Sequence, residues 1–340
     1  MVNRNLSIVL AFLFQAAMAL ATSCPAPEKE SPPPKQPQAA MPADELSGRL
    51  TIFHAGSLSV PLAEVSKAFE AKHPKVKVLA EAAGSRDTAR KVSDLGQTCD
   101  IVACADYEVI DELLIPDHAS FNIRFARNRI IIAYTDKSLR AQELTTTNWH
   151  ELLLLDEVKF GRADPDRDPC GYRTLMVFQL AEKLYAKPGL ADALTKKDGD
   201  KYIRPKETDL LALLESGEID YLFIYYSVAV QHNLKYLDLP GEVNLGDVDR
   251  SQEYKSASVE VVGKSPGEFT TLYGAPIVYA VTIPKNSSNP RAAAAYLEFL
   301  LSPEGGAIIE KCGQPPISPA VCAQYEALPE SLKPLCIAAE

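Results

Sequence analysis

Positive charge is in deficit in this chain: 35 Lys and Arg stand against 45 Asp and Glu over 340 residues, a net charge of -10 with a pI near 5.2. Such a chain has no basic surplus to offer a phosphate backbone, which argues against nucleic acid as a partner. Histidine is scarce, five residues in all, and His73, His118, His150 and His232 are scattered, each reading as a surface or capping residue. No CxxC or Cys/His spacing of a zinc site occurs. The Gly-x-Ser-x-Gly nucleophile pattern is missing as well, and His54, three residues before Ser57 on a strand-like run, is a poor general base, so serine hydrolase chemistry lacks its parts. Beyond the N-terminus there is no run of 18 apolar residues, and hence no further candidate membrane span.

What is present begins with an address. Arg4 precedes the apolar run "LSIVLAFLFQAAMALA", and small residues lead into Cys24, the pattern of an export signal over residues 1–23. Its ending, "LATSC", resembles the lipobox of bacterial lipoproteins, which implies cleavage before Cys24 and a lipid anchor on it. Ala21 stands where that motif has Leu, and ordinary secretion is the alternative. Residues 24–48, rich in Pro and polar residues, cannot bury a core and read as a tether. An exported chain can oxidise its remaining cysteines (99, 104, 170, 312, 322 and 336). Cys322 and Cys336 bracket a short segment and are the candidate bridge.

The remainder is long enough for two domains of ordinary size. "LTIFHA" (50–55) is strand-like, and the next segment places Leu62, Val65 and Phe69 on one helical face before Pro74. "KVKVLAEA" alternates with period two, "DTARKVSDLG" is helical up to Gly96, and "DIVACAD" (100–106) is a short apolar run typical of a buried parallel strand. That rhythm predicts an α/β fold with mainly parallel sheets flanked by helices. Further strand signals at 129–135, 219–226 and 274–284, with no long linker between blocks, predict two lobes joined by crossing strands near 129–135 and 274–283. The expected division is 49–131 for the first lobe, 132–275 for the second, 276–319 for the return to the first, and 320–340 for a C-terminal tail. A ligand cleft between the lobes follows.

The tripeptide Ala-Gly-Ser occurs twice, at 55–57 and 83–85, each time where a strand gives way to a helix. Open α/β sheets bind ligands at that edge, and the first turn of a helix favours an anion. Ser57 and Ser85 are therefore candidate anion contacts, with plain N-capping as the alternative.

Five segments in one order, "FHAGSL", "EAAGS", "DPCGYR" (168–173), "ESGEIDYLFIY" (215–225) and "PIVYAVTIPK" (276–285), resemble the substrate-binding proteins of tungstate/molybdate ABC importers, best known from archaea. The similarity runs from about Leu50 to Pro319. It implies a two-lobed periplasmic-binding-protein fold of type II that closes on one oxyanion and passes it to a membrane permease and its ATPase. It also implies a monomer, no cofactor and no enzymatic step. The family's ligand-contacting serines fall on Ser57 and Ser85, its two carboxylates on Asp168 and Glu207, and its tyrosine on Tyr225. Asp164 and Asp166 stand in the same run as Asp168 and are alternatives for its role.

A dianion beside two carboxylates should be repelled by several kcal/mol. Protonating one acid would relieve this, as at a sulfate or phosphate site; direct ligation is the other answer, in which hexavalent tungsten or molybdenum accepts two further oxygen donors from Asp168 and Glu207, as sulfur in sulfate does not, so that the acids select for the metal oxyanion. Read without the resemblance, Asp168 could open a turn before Pro169, and Glu207 could be a first-turn acid favoured by a helix dipole. Lys206, Arg86 and Arg173 are candidates to compensate charge or to line the cleft rim. A binder of sulfate or phosphate is the nearest alternative. A metal-dependent hydrolase built on Asp168, Glu207 and Tyr225 is a more distant one.

Overall fold

Period-two alternation sorts the first strand's side chains onto two faces. Leu50 and Ile52 of β1 (Gly48–Ala55) join one buried cluster, while Phe53 joins a second. The first cluster takes Leu62, Val65 and Phe69 from the Ser59–Lys72 helix, on the single face expected of them; the second takes Ala89 and Val92 from the Ser85–Ser93 helix. Helices thus cover both faces, as a parallel strand arrangement requires. The computed structural model describes residues 45–339 except Asp198 and Pro266. The expected signal segment, Cys24 with its lipid, and the tether up to residue 44 lie outside the described residues.

Among the described residues the first sheet has the order β14-β13-β4-β12-β3-β1-β2. It comprises β1, β2 (Val76–Ala83), β3 (Ile101–Cys104), β4 (Ile123–Arg127), β12 (Val278–Thr282), β13 (Pro316–Cys322) and β14 (Cys336–Ala338). The second, ordered β7-β6-β8-β5-β9, comprises β5 (Ile130–Tyr134), β6 (Phe160–Ala163), β7 (Ile203–Arg204), β8 (Tyr221–Tyr225) and β9 (Lys235–Asp238). A separate hairpin pairs β10 (Ser258–Val262) with β11 (Phe269–Tyr273).

Three features differ from the sequence expectation. The first sheet is mixed: β1 is parallel to β2 and β3, but β12 is antiparallel to both β3 and β4. The reason is the crossing itself: the chain leaves at the end of β4 and comes back at the same sheet edge, Val278 opposite Arg127, so the returning strand runs the other way. The crossings are also shorter than expected. β5 pairs wholly within the second sheet and β12 wholly within the first, so the lobes are joined by Asn128–Arg129 and by residues 274–277. Finally, the expected tail at 320–340 is not a mere tail, because β13, which runs on to Cys322, pairs with β4, and β14 extends the same sheet.

That last pairing also removes the candidate disulfide. Cys336 is in register with Ala320, and Cys322 with Ala338, so the two cysteines lie diagonally across parallel strands. Strand spacing and a two-residue offset put their Cα atoms about 8 Å apart, beyond the ~7 Å a disulfide spans. All six described cysteines are free and buried, and burial pushes the Cys336 thiol up to about 11. Thiols so held are poor nucleophiles.

The hairpin clasps both lobes. Towards the second lobe, Ser258 exchanges two hydrogen bonds with Gln179 (2.8 and 2.9 Å), and Val262 N donates to Asp166 Oδ1 at 2.8 Å. Towards the first, the Val262 carbonyl accepts from Arg86 and Arg90, and Thr270 donates to Glu112 at 2.9 Å. Arg86, fully buried, pairs with Glu112 at 2.8 Å. It is therefore a structural cation under the hairpin and not a residue of the cleft rim.

Candidate functional site

The two Ala-Gly-Ser elbows face two acid-bearing loops of the other lobe. A Cβ on Gly56 would lie 2.8 Å from Glu207 Oε2, and one on Gly84 would lie 2.3 Å from the Arg167 carbonyl oxygen and 2.9 Å from that of Pro205. Only glycine permits approaches this close. Across the second contact, Arg86 N and Asp87 N, in the first turn of the Ser85–Ser93 helix, both donate to the Arg167 carbonyl, at 3.1 and 3.4 Å. Arg167 also pairs with Asp87 at 2.6 Å. The lobes are closed on one another at this point.

Asp168 caps the Pro169–Leu184 helix, its Oδ1 accepting from Cys170 N at 2.8 Å. Its other oxygen accepts from Glu207 N at 3.2 Å. The side chain expected either to open a turn or to meet a ligand is thus a helix cap, and its second oxygen is left to the site. Asp164 and Asp166 are committed elsewhere: Asp164 Oδ1 accepts from Asp166 N, and Asp166 Oδ1 holds the hairpin. Asp168 and Glu207 are both almost completely buried, at 2% and 1% exposure. Burial first, and the Glu207 carboxylate second, hold the Asp168 carboxyl well above its ordinary range.

Among the described residues neither acid has an ion-pair partner, and buried Glu207 Oε1 has no hydrogen-bond partner. Lys206 turns to Asp209 instead (3.0 Å). Arg173 is buried and pairs with Asp106 at 2.7 Å, while donating to the Ala105 carbonyl at 2.7 Å and to the Tyr225 hydroxyl at 3.2 Å. It braces the site from behind and does not line a rim. Tyr225 itself is fully buried at the end of β8, and burial raises its hydroxyl well above the ordinary value.

Both serines are buried, and their oxygens already accept bonds. Ala105 N donates to Ser85 Oγ at 2.9 Å, and the Tyr279 hydroxyl donates to Ser57 Oγ at 2.9 Å. Neither serine side chain caps its helix. Sequence reasoning missed Tyr279 as a site neighbour, although it lies within the quoted run "PIVYAVTIPK". It missed Asn128 and Gln314 as well; Gln314 Nε2 donates to the Ser57 carbonyl at 3.3 Å. His150 departs from expectation, being buried and stacked on Tyr185 with ring centroids 4.2 Å apart, while the strand residue His54, also buried, bonds Ala55 O at 2.8 Å.

Residues 50–313 match the family of bacterial extracellular solute-binding proteins. The chain belongs to that family. Among its relatives, an uncharacterized solute-binding protein of Petrotoga mobilis is 47% identical over 293 residues, covering 86% of this chain and 91% of the relative. A molybdate/tungstate-binding protein of Pyrococcus abyssi is 42% identical over 316 residues, covering 85% and 90%. Of solved structures, the periplasmic molybdate-binding protein of Azotobacter vinelandii superposes with a TM-score of 0.56 at 15% identity, covering 78% of this chain and 98% of that one. The sulfate-binding protein of Mycobacterium tuberculosis gives 0.56 at 14%, covering 79% and 87%. At such identities the likeness is one of fold. This solute-binding protein has the two-lobed type II architecture of periplasmic binding proteins, and its family places it outside the cytoplasm.

Proposed function

We propose that this solute-binding protein captures tungstate or molybdate and delivers it to the permease and ATPase of an ABC importer. Ser57, Ser85 and Tyr225 would donate to the oxo groups, and Asp168 and Glu207 would ligate the metal centre. The carrying observation is the buried acid pair. Asp168 and Glu207 lie together with no cationic side chain paired to them among the described residues, and one oxygen of Glu207 is unpartnered, an arrangement that costs several kcal/mol unless a proton or an electron-poor centre joins it. Hexavalent tungsten or molybdenum is such a centre, and sulfur in sulfate is not. The identity to a molybdate/tungstate-binding relative supports the same reading.

The protein would act as a monomer without a resident cofactor or an enzymatic step, held at the outer face of the membrane through lipid on Cys24. A hydrolase would need a fuller ligand set. Among the described residues no group of three or more His, Cys, Asp or Glu side chains could hold a metal ion.

Calorimetry with tungstate, molybdate and sulfate, on the natural chain and on Asp168→Ala and Glu207→Ala, tests the proposal. Each substitution should weaken tungstate at least about a hundredfold, or ~2.7 kcal/mol, while changing any sulfate binding far less. Equal losses for both anions would refute metal ligation, and tighter binding of sulfate than of tungstate would favour the sulfate reading.

A further inference from the structure

A serine hydroxyl can donate one hydrogen bond and accept two, so its use at an anion depends on what occupies its lone pairs. For Ser57 the occupant is the hydroxyl of Tyr279, which is itself fully buried on β12. The Tyr279 hydroxyl in turn accepts from Asn128 Nδ2 at 3.0 Å. The orientation of that amide is fixed independently, because Asn128 Oδ1 accepts from two backbone donors, Arg129 N at 3.0 Å and Ser227 N at 3.3 Å. With the oxygen so placed, the amide nitrogen must face Tyr279 and Ser227 Oγ, the latter at 2.7 Å. The three side chains then form one directed chain of donors, Asn128 to Tyr279 to Ser57.

We infer that Tyr279 is a positioning residue for oxyanion capture: oriented by Asn128, it occupies the acceptor side of Ser57 and so commits the Ser57 proton to the ligand. Ser85 needs no such helper, since the rigid backbone N–H of Ala105 does the same for it at 2.9 Å. The arrangement gives Asn128 a second property. It lies on the short crossing between lobes, bonded on one side to Ser227, just past Tyr225, and on the other to Tyr279. The donor chain to Ser57 is therefore complete only while the crossing holds this conformation. Preorganised donors do not reorient when the anion arrives, and this raises affinity.

The inference rests on the reading of Ser57 as an oxyanion contact, and a double-mutant cycle separates the two. Binding of sodium tungstate, sodium molybdate and sodium sulfate is measured by calorimetry on the natural chain, Tyr279→Phe, Ser57→Ala and the double variant, using whichever anion the natural chain binds most tightly. Tyr279→Phe should weaken that anion about tenfold when Ser57 is present, the scale of one neutral hydrogen bond. It should weaken it less than about twofold in the Ser57→Ala background. Equal losses in both backgrounds, or none in the first, would overturn the inference while leaving the function intact. Unchanged affinity in Ser57→Ala, or a natural chain that binds none of the three anions, would overturn both.

Asn128→Asp gives a second route should Tyr279→Phe fail to fold. It keeps the oxygen that the backbone requires but replaces the amide nitrogen with an acceptor, drawing the Tyr279 proton away from Ser57. The same dependence on Ser57 is expected, and its absence would overturn the inference.

Discussion

Replacing Gly84 with alanine should impair closure without harming either lobe. The residue has φ -60° and ψ 146°, which alanine adopts freely, so within its own lobe the change is unstrained. Across the cleft the new methyl group would sit 2.3 Å from the Arg167 carbonyl oxygen, where carbon and oxygen come to rest at about 3.3 Å. Separating the loops by that difference, about 1 Å, carries the Arg86 N and Asp87 N bonds to Arg167 O out of range from their present 3.1 and 3.4 Å. Two hydrogen bonds at ~1 kcal/mol each, with a further ~1 kcal/mol of overpacking, give a loss of about 2–3 kcal/mol, a factor of roughly 30–150 in affinity. Calorimetry with tungstate measures the loss directly. Melting temperature checks its origin: without ligand it should match the natural chain, and the rise on adding tungstate should shrink. Gly306→Ala serves as a control, since a Cβ there meets nothing nearer than 4.0 Å. Affinity of Gly84→Ala within twofold of the natural chain would refute the claim that this contact belongs to the closed, ligand-holding state.

Two predictions concern stability. Glu112→Ala strips the buried Arg86 of its carboxylate and the hairpin of its Thr270 bond; because Glu112 is partly exposed the cost is set at about 1–3 kcal/mol, read as a fall in urea midpoint, and an unchanged midpoint would count against the clasp. His150 is held below its ordinary pKa by burial, then by Lys187, and both ring nitrogens are unpartnered among the described residues. The unfolded chain binds the proton first, so stability should fall as pH drops below about 6.5, by at most ~1.4 kcal/mol per pH unit. His150→Phe should flatten that slope between pH 7 and pH 5 in urea titrations, and a slope unaltered by the substitution would refute the assignment.

Local pattern was enough to locate the strand-helix elbows, because a period-two run followed by small residues and then a period-3.6 run marks the ligand edge of a parallel unit. Ser57, Ser85, Asp168, Glu207 and Tyr225 all lie at such element ends. What pattern cannot convey is the neighbour of a strand. "PIVYAVTIP" announces β12 but not its antiparallel seat between β3 and β4, and so concealed the contact between Tyr279 and Ser57. Asn128 escaped notice for a related reason: a crossing of two residues has no composition of its own. The expected boundary at 319 cut through β13, whose Pro316 and Pro319 fall where its pairing with β4 is irregular and missing N–H groups are tolerated. Arg86 and Arg173 were legible as charges, but their burial depends on partners, Glu112 and Asp106, far away in sequence.

The seat of β12 between β3 and β4 bears on the order of assembly. Residues 130–273 supply the second sheet and the hairpin without interruption, so that part of the chain can complete its pairing as soon as it has been synthesised. The other sheet, although begun at residue 48, has a gap at its centre until Thr282 emerges from the ribosome. The end made first is thus the last to become whole.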